Sequence, residues 1–424
     1  MSKRSFFRRS ATAPSLKFLE LREHFVPFRV DALMERMLAD PRLTAEQAAQ
    51  FQVLRKMLSA RFHFEYHDIL ESLKRDFVSF DPDRDTQDKL NCSESELEEK
   101  SARLYEGVKL LLERCNFVEM TPEQLDACLD LQPVGGLSVY VDRQDFSEFN
   151  VFFRGIRKKT VTEPRFYLFR RTWTTTVFSR VFVIARTSTT TGSRRHAKMF
   201  KDISVENLKI VVPKVRLGMP MFDRLKIGGT IFGSLATTIS KVVFALMFSW
   251  WLFIVVMSGF VIATFKGIMS FLSSKTKYLY VFSSNLYYQS VSNNKAALTS
   301  LVDAAEEQEL KEALLAYFML FVLRDRDLTL EQLDEAVEHW LLEQFGWDVD
   351  FEVDDAVRKL KEKELLFVSC GPIYKVCDLP RALRRLDEAW DDFFSYNQPD
   401  ADTEDRIADA EFHCRNDGRP KSSN

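Results

Sequence analysis

Apolar residues recur every three or four positions through the first third of the chain, which is the spacing of an amphipathic helix. The longest run is the segment 44–77, whose apolar positions follow one helical face. Thr44 and Gln47 have the spacing of a capping box, and Pro122 stands where proline commonly begins a helix. These patterns predict a helical domain over residues 25–135.

The pattern changes after Leu137, where apolar and polar residues alternate in places. Alternation of this kind, with many Val, Phe, Tyr and Thr residues, is typical of antiparallel strands. It predicts a β-rich module of short strands over residues 136–226. The segments with this pattern are 137–142, 149–155, 166–173 and 175–188.

A stretch of very low charge follows the predicted strands. From Ile227 to Ser274 the only charged residues are Lys241 and Lys266. A helix needs about 20 apolar residues to cross a hydrocarbon core of roughly 30 Å, and the uncharged run between the two lysines is longer than that. The sequence therefore predicts a transmembrane segment over residues 227–274, with membrane-spanning positions that include Val242, Trp250, Trp251 and Phe265.

Two topologies of this segment stay open. A single crossing uses residues 242–265, whereas a helical hairpin uses 227–248 and 251–272 with its turn near Trp250. Basic residues on both flanks favour the hairpin, because such residues stay on the non-translocated side of the membrane. Lys241 opposes it, since the hairpin would place this charge inside a membrane helix.

Helical periodicity returns in the last third of the chain. Helices are predicted over about 298–323, after Thr329 and over about 352–364, and a hairpin with a Gly-Pro turn follows them. This order predicts a winged-helix-like domain over residues 275–398, before a polar tail at 399–424 that we expect to be disordered.

The elements together predict an α+β membrane protein. Its parts are an N-terminal helical region, a small antiparallel β module, a transmembrane helical hairpin or single span, and a C-terminal winged-helix-like domain. Residues 1–24 are basic and rich in Ser, with no acidic residue before Glu20. This composition is typical of a mitochondrial transit peptide or of a disordered basic tail. We therefore expect an integral membrane protein located in mitochondria.

Charge is distributed very unevenly, although the net charge is only −3. Residues 151–226 contain 18 basic and 4 acidic residues, and residues 301–424 contain 31 acidic and 15 basic residues. Anionic head groups attract a nearby Lys or Arg by roughly 1 kcal/mol each. The basic module is therefore predicted either to contact anionic lipid or to present a solvated basic face, through Arg154, Arg157, Lys158, Lys159, Arg170, Arg171, Arg194 and Arg195.

No motif in the sequence dictates a reaction, and we predict no catalytic residue, metal or cofactor. His63 and His67 lie one helical turn apart, which suits a metal, but the sequence offers no third ligand. The acidic run from Asp303 to Glu312 is predicted to be a solvated helix face. The six cysteines show no CxxC spacing, so we expect free thiols rather than a zinc module.

The partners that we expect are a lipid bilayer and a protein. Nucleic acid is not expected, because the basic module precedes a predicted span and the predicted recognition helix is acidic. Its carboxylates would repel phosphates. The sequence leaves the oligomeric state open. The acidic residues of that helix are Glu352, Asp354, Asp355, Glu362 and Glu364.

Several segments in their order along the chain resemble a known family. They include FVPFRVDALMERML, CNFVEMTPEQL, FSRVFVIAR, KMFKDISVENLKIVVP and LVDAAEEQELKEALLAYFML. Over about residues 25–394 the chain resembles the family of unknown function typified by transmembrane protein 143. The resemblance implies an integral membrane protein with two adjacent spans, and a mitochondrial location for the animal members. It supplies no catalytic residue, cofactor or substrate.

Two functions follow as hypotheses. The first is a non-enzymatic, membrane-anchored organiser whose basic module contacts anionic lipid while the acidic domain recruits a protein. The alternative is a membrane-bound enzyme or lipid-handling protein with a site between the helical and β domains, near His63 and His67.

Overall fold

The structure is a computed structural model of the 424-residue chain. It describes residues 22–83, 93–131, 138–140, 148–166, 169–189, 192–211, 216–218, part of 251–289, 290–369 and 372–392. The chain divides into two compact units. The β unit contains Met1–Phe25 and Ile69–Ala305, and the helical unit contains Val26–Asp68 and Glu306–Asn424.

A five-stranded antiparallel sheet forms the centre of the β unit, with the strand order β1-β3-β4-β5-β7. Strands β2 and β6 form a separate antiparallel pair. The helical unit contains most of the described helices. The elements in chain order are α1 (Val30–Leu38), α2 (Ala45–Phe77), α3 (Glu94–Arg114), β1 (Val118–Glu119), α4 (Pro122–Asp130), β2 (Ser138–Tyr140), β3 (Glu148–Phe166), β4 (Phe169–Thr189), β5 (Gly192–Ser204), a 3-10 helix (Val205–Val211), β6 (Arg216–Gly218), β7 (Ser290–Asn293), α5 (Asn294–Val322), α6 (Leu330–Phe345), α7 (Val353–Glu362), β8 (Leu366–Ser369), β9 (Ile373–Val376) and α8 (Leu379–Asp391).

The strands of the β unit differ in length from the prediction. Short strands were expected, but β3 and β4 contain 19 and 21 residues and pair along almost their whole length. Threonine and valine recur through the central part of both strands, and β-branched residues favour extended backbone. The predicted segments 149–155, 166–173 and 175–188 are therefore parts of the two long paired strands β3 and β4, whereas 137–142 overlaps the separate strand β2.

Apolar side chains cover both faces of the sheet. On one face, Phe153, Phe178 and Val181 belong to a buried cluster that includes Leu125 of α4 and Leu208 of the 3-10 helix. The other face includes Phe152, Phe182 and Ile184, which are also buried. Strand β4 is therefore buried on both of its faces at these positions.

The helical unit is built around the second half of α5. Every residue from Ala313 to Phe321 is buried, so this part of the helix is enclosed on all sides. Phe51 of α2 packs against Tyr317 and Phe318 at centroid distances of 6.1 and 5.9 Å. The predicted capping box of α2 is confirmed, since Thr44 and Gln47 bond each other's backbone N–H through their side chains.

The prediction of a membrane-spanning segment is wrong for the residues that the structure describes. None of the helices formed by those residues has both the length and the apolar character that a crossing requires. Val242 and Trp250 lie outside the described residues, whereas Trp251 and Phe265 are helical and 77% and 63% exposed. Low charge alone does not make a span, and the described helical positions of this stretch include Ser258, Gly259 and Lys266. The α+β class stands, with an antiparallel sheet and helices but without a transmembrane element in the described part of the chain.

Candidate functional site

Strands β3 and β4 extend beyond the rest of the sheet as a two-stranded arm. Strand β5 pairs with β4 from Val177 to Thr189, whereas β3 continues to pair with β4 as far as Phe166 and Phe169. Residues 158–166 and 169–176 therefore pair only with each other among the described strands, and we call them the β-arm. At about 3.3 Å per residue, nine residues of β3 give the arm a length of roughly 25–30 Å.

Basic residues are concentrated on the β-arm and at its base. The side chains of Arg157, Lys158 and Lys159 are exposed. On β4, Arg170 and Arg171 lie opposite Pro164 and Glu163 in the strand register. Residues 157–177 contain six basic residues and a single acidic one, so the arm has a strong positive charge.

An acidic residue neutralises part of the charge at the base of the arm. Asp202 pairs with Arg157 and with Lys159, whose Nζ lies 3.2 Å from the carboxylate. Burial alone would raise the pKa of Asp202, but Lys159 and Arg157 together lower it. Arg157 and Lys159 are therefore partly neutralised, whereas the neighbouring Lys158 is exposed and forms no ion pair with the described residues.

Two of the predicted lipid-contacting residues are buried instead. Arg154 is only 9% exposed, and its Nη1 donates to the carbonyl oxygen of Cys115 at 3.0 Å. Its guanidinium carbon lies 3.7 Å from the ring centroid of Phe25 and 4.8 Å from that of Phe117. Arg154 therefore stabilises the interior of the β unit and does not present its charge to a surface.

Arg195 is buried at 3% exposure, whereas its neighbour Arg194 is exposed. The Nη2 of Arg195 donates to Ser101 Oγ at 2.6 Å and to Glu148 Oε2 at 2.7 Å. Burial lowers the pKa of Arg195, and Glu148 opposes that effect. Alternation along a strand places neighbouring residues on opposite faces, so the sequence already contained the signal that these two arginines differ.

A cavity of about 10 Å³ lies beside Arg195, which is room for about one water molecule. Its lining includes Phe77, Leu104, Tyr105, Val108, Ile184 and Leu298. Arg195 Nε is buried without a hydrogen-bond partner among the described residues. The cavity is too small for a substrate, and a water molecule there could satisfy this N–H group.

The acidic run of α5 is only partly the solvated face that the sequence predicted, because Asp303 and Glu307 are exposed whereas its last two carboxylates are buried. Glu309 and Glu312 are 3% and 1% exposed, and both pair with Lys359 of α7, which is itself 1% exposed. Asp355 lies 2.7 Å from the same Nζ. We call these four residues the Lys359 cluster. The sequence contains only a weak signal for this cluster, because its residues belong to two helices that are distant along the chain. Glu312 and Lys359 are separated by 47 positions.

The ionisation of the Lys359 cluster follows from its burial and its charges. Burial would lower the pKa of Lys359, but Glu312, Glu309 and Asp355 more than offset this and raise it. Burial raises the pKa of Glu312, although Lys359 and Gln308 act in the opposite direction. Burial would also raise the pKa of Asp355, but Lys359 and Arg358 lower it. The ammonium group occupies the centre of the cluster, where it acts as the counterion of the carboxylates.

The remaining candidate site is the histidine pair on α2, in which one ring contacts a carboxylate. His63 Nδ1 lies 3.0 Å from Glu306 Oε2, and the rings of His63 and His67 have centroids 6.4 Å apart. Within the described residues, no group of three or more His, Cys, Asp or Glu side chains is arranged to hold a metal ion.

Comparison with known proteins identifies one domain. Residues 179–296 match a family described as "Protein of unknown function (DUF3754)". The match begins within β4 and includes β5, the 3-10 helix and β7. No solved structure matches the chain.

The match corrects several expectations drawn from the sequence. It does not link the chain to transmembrane protein 143, and it carries no information on a membrane, on mitochondria or on a winged helix. The expected integral membrane location is wrong for the described residues, whose helices cannot cross a bilayer, and the match does not test the expected mitochondrial location. The C-terminal elements are, in chain order, three helices, a hairpin and a helix. What the comparison establishes is a DUF3754 domain, of unknown function, at residues 179–296.

Proposed function

We propose that the protein is a non-enzymatic binding protein whose β-arm contacts the anionic head groups of a lipid surface. The observation that carries the proposal is the extension of the basic hairpin beyond β5, which leaves Lys158 and its neighbours exposed. A charge near an anionic surface contributes about 1 kcal/mol, so several basic residues on one arm give measurable binding. Such contact needs no helix that crosses the bilayer.

The sequence at the end of the arm favours lipid over nucleic acid as the partner. Strands β3 and β4 end and begin at Phe166 and Phe169, and the two residues between them are Tyr167 and Leu168. In the sequence, basic residues flank this apolar segment on both sides. Aromatic residues prefer the boundary between head groups and hydrocarbon, where adjacent Lys and Arg residues pair with phosphates. The flanking basic residues are Arg165, Arg170 and Arg171.

The second part of the proposal concerns the helical unit, which we infer binds a protein. Its residues 306–424 contain 30 acidic and 15 basic residues. Strand β8 exposes Phe367 and Val368, and Trp347 and Trp390 are also exposed. Exposed aromatic side chains within a charged surface are typical of protein interfaces.

Vesicle co-sedimentation of the full chain tests the lipid part of the proposal. Wild-type protein should bind vesicles of phosphatidylcholine with 30% phosphatidylserine, and binding should weaken with salt because the attraction is electrostatic. The variant Arg170→Ala/Arg171→Ala should bind about thirtyfold more weakly, as expected from the loss of roughly 1 kcal/mol for each of the two charges.

The matched control is Arg381→Ala/Arg384→Ala, which removes two exposed arginines from α8. This control has the same net charge as the arm variant, so equal loss in both would show only a response to overall charge. Equal binding of wild type and arm variant would contradict the proposal. Tighter binding of the wild type to double-stranded DNA or RNA than to the vesicles would replace lipid with nucleic acid as the partner.

A further inference from the structure

The segment Glu23–Phe25 is held on the β unit by contacts concentrated in three consecutive residues, and we call this segment the strap. The ring of Phe25 stacks on the guanidinium of Arg154 at 3.7 Å. The carbonyl oxygen of His24 accepts a hydrogen bond from Asn116 Nδ2 at 2.9 Å. Glu23 Oε1 accepts from the backbone N–H of Phe25 at 3.2 Å, which fixes the turn of the strap.

The surface that receives the strap is specialised at two backbone positions. Gly155 has φ of +71°, and a Cβ at this position would lie 2.8 Å from Glu23 Oε2 and 2.7 Å from Ser179. A side chain at position 155 would therefore occupy the space that the glutamate needs. Asn116 also has a positive φ of 59°, which turns the chain between α3 and β1 and places its amide against the strap.

The two side chains of the strap use different chemistry. An aromatic ring over a buried guanidinium is a cation–π contact, which gains strength where water is excluded. The carboxylate of Glu23 lies near the same positive charge, and burial raises its pKa while the N–H of Phe25 and the guanidinium of Arg154 act in the opposite direction. The site thus contacts a glutamate and a phenylalanine that are separated by one residue. A side-chain amide donates a hydrogen bond to the backbone carbonyl of that middle residue.

We propose that Arg154, Asn116 and Gly155 form a binding site for a peptide of the pattern Glu-x-Phe, which the strap fills in cis. The three contacts involve one short stretch of chain, so a peptide with the same pattern can make all of them. The strap is then an internal ligand that competes with any such peptide on a partner protein. Removing its two side chains exposes the site.

Fluorescence anisotropy with a labelled peptide of residues 20–26 tests this site on the full-length chain. The peptide should bind the strap variant Glu23→Ala/Phe25→Ala about tenfold more tightly than it binds wild type, because the internal competitor is lost. A peptide with Gln and Ala in place of its Glu and Phe should not bind. Adding Arg154→Met to the strap variant should remove peptide binding.

A second readout separates recognition from simple packing. The active peptide should raise the melting temperature of the strap variant and leave that of wild type unchanged, since a ligand stabilises only the state that it binds. If the double variant does not fold, Phe25→Leu keeps most of the volume while it removes the aromatic face, and it should show the same preference. Equal affinity for wild type and variant, or a folded variant that binds no peptide, would overturn the proposal.

Discussion

The two units of this protein bury positive charge in different ways. In the β unit, Arg154 and Arg195 contact aromatic rings, a backbone carbonyl, a hydroxyl and the carboxylate of Glu148. In the helical unit, Lys359 is surrounded by three carboxylates. Both solutions remove a cation from water, but they leave very different surroundings if the cation is lost.

The chemistry of the two side chains explains the difference. A guanidinium is planar, is weakly hydrated and has five donors, so it can stack on a ring while it donates to neutral groups. An ammonium is a compact point charge with strong hydration, and its burial requires negative charge close by. Loss of a buried arginine in the β unit therefore leaves mostly neutral partners, whereas loss of Lys359 leaves several carboxylates facing one another.

The largest effect is expected for Lys359→Met. The substitution keeps most of the side-chain volume but leaves Glu309, Glu312 and Asp355 without their shared counterion. Breaking a buried pair by removing one partner costs about 3–5 kcal/mol, and we expect a loss of that size in the free energy of unfolding. Urea denaturation at pH 7 measures it.

Lys361→Met is the matched control, because Lys361 lies on the same helix and is exposed. We expect it to change the free energy of unfolding by less than about 0.5 kcal/mol. The destabilised Lys359 variant should recover stability as the pH is lowered, since protonation removes the repulsion between the carboxylates. A loss below about 1 kcal/mol for Lys359→Met would show that water compensates the cluster, against the burial on which this prediction depends.

A smaller effect is expected for Arg195→Met. Glu148 keeps its contact with Arg186 at 3.3 Å, and the other partner that remains is the hydroxyl of Ser101. Loss of hydrogen bonds to a charged group costs about 2 kcal/mol. Arg194→Met is the adjacent control, with its side chain exposed, and should be nearly neutral in the same urea titration. Similar losses in the two variants would mean that the burial of Arg195 has no energetic consequence.

Local signals in the sequence were sufficient for the helices. The side chains of Thr44 and Gln47 predicted the start of α2, and the structure has both bonds of that capping box. The fate of the charged residues depended on distant packing instead. Arg154 and Arg157 belong to one strand and one charge cluster, yet only the first is covered by Phe25 and Phe117.

The candidate site was predictable only in part, for the same reason. Composition identified the basic region but could not show that β3 and β4 continue past β5, because strand pairing is a property of three segments together. Glu309 lies four positions after Ala305, which is buried, and residues at this spacing share one face of a helix. The spacing was therefore a signal that Glu309 is buried too. Its partner Lys359 could not be identified, since one sequence does not reveal contacts between distant helices.

A pH dependence distinguishes the carboxylates within the Lys359 cluster. Because burial raises the pKa of Glu312 in the folded state, its contribution is fully present below its unfolded pKa of about 4.3 and is lost as the pH rises through the folded value. The pKa of Asp355 is lowered, so its contribution is lost only as the pH falls through that lower value. The other charged groups of the cluster region are Glu309, Lys359, Arg358 and Glu362. All four are present both in wild type and in the Glu312→Gln variant that is compared with it.

Replacing Glu312 with Gln should therefore flatten the pH profile of stability above pH 4.5. Wild type should lose stability relative to Glu312→Gln as the pH rises from 4.5 towards neutrality, in urea titrations at one-unit intervals. Asp354→Asn is the control, because Asp354 is exposed on α7. Parallel profiles of wild type and Glu312→Gln would show that Glu312 has the same proton affinity in the folded and unfolded chains.

The smallest effect is expected for Lys375→Met. Lys375 is a lysine of the helical unit that donates to neutral groups, as the buried arginines of the β unit do. Lys375 of β9 donates to the carbonyl oxygens of Arg324 and Arg326 at 2.9 and 2.7 Å, just beyond the end of α5, and pairs with Asp327. Its side chain is partly exposed, so water can replace much of what a substitution removes. We expect Lys375→Met to lower the free energy of unfolding by about 1 kcal/mol, the usual net contribution of such bonds. Lys361→Met is again the control. A loss as large as that of Lys359→Met would contradict the comparison, because it would show that neutral partners and partial exposure do not reduce the cost of losing a lysine.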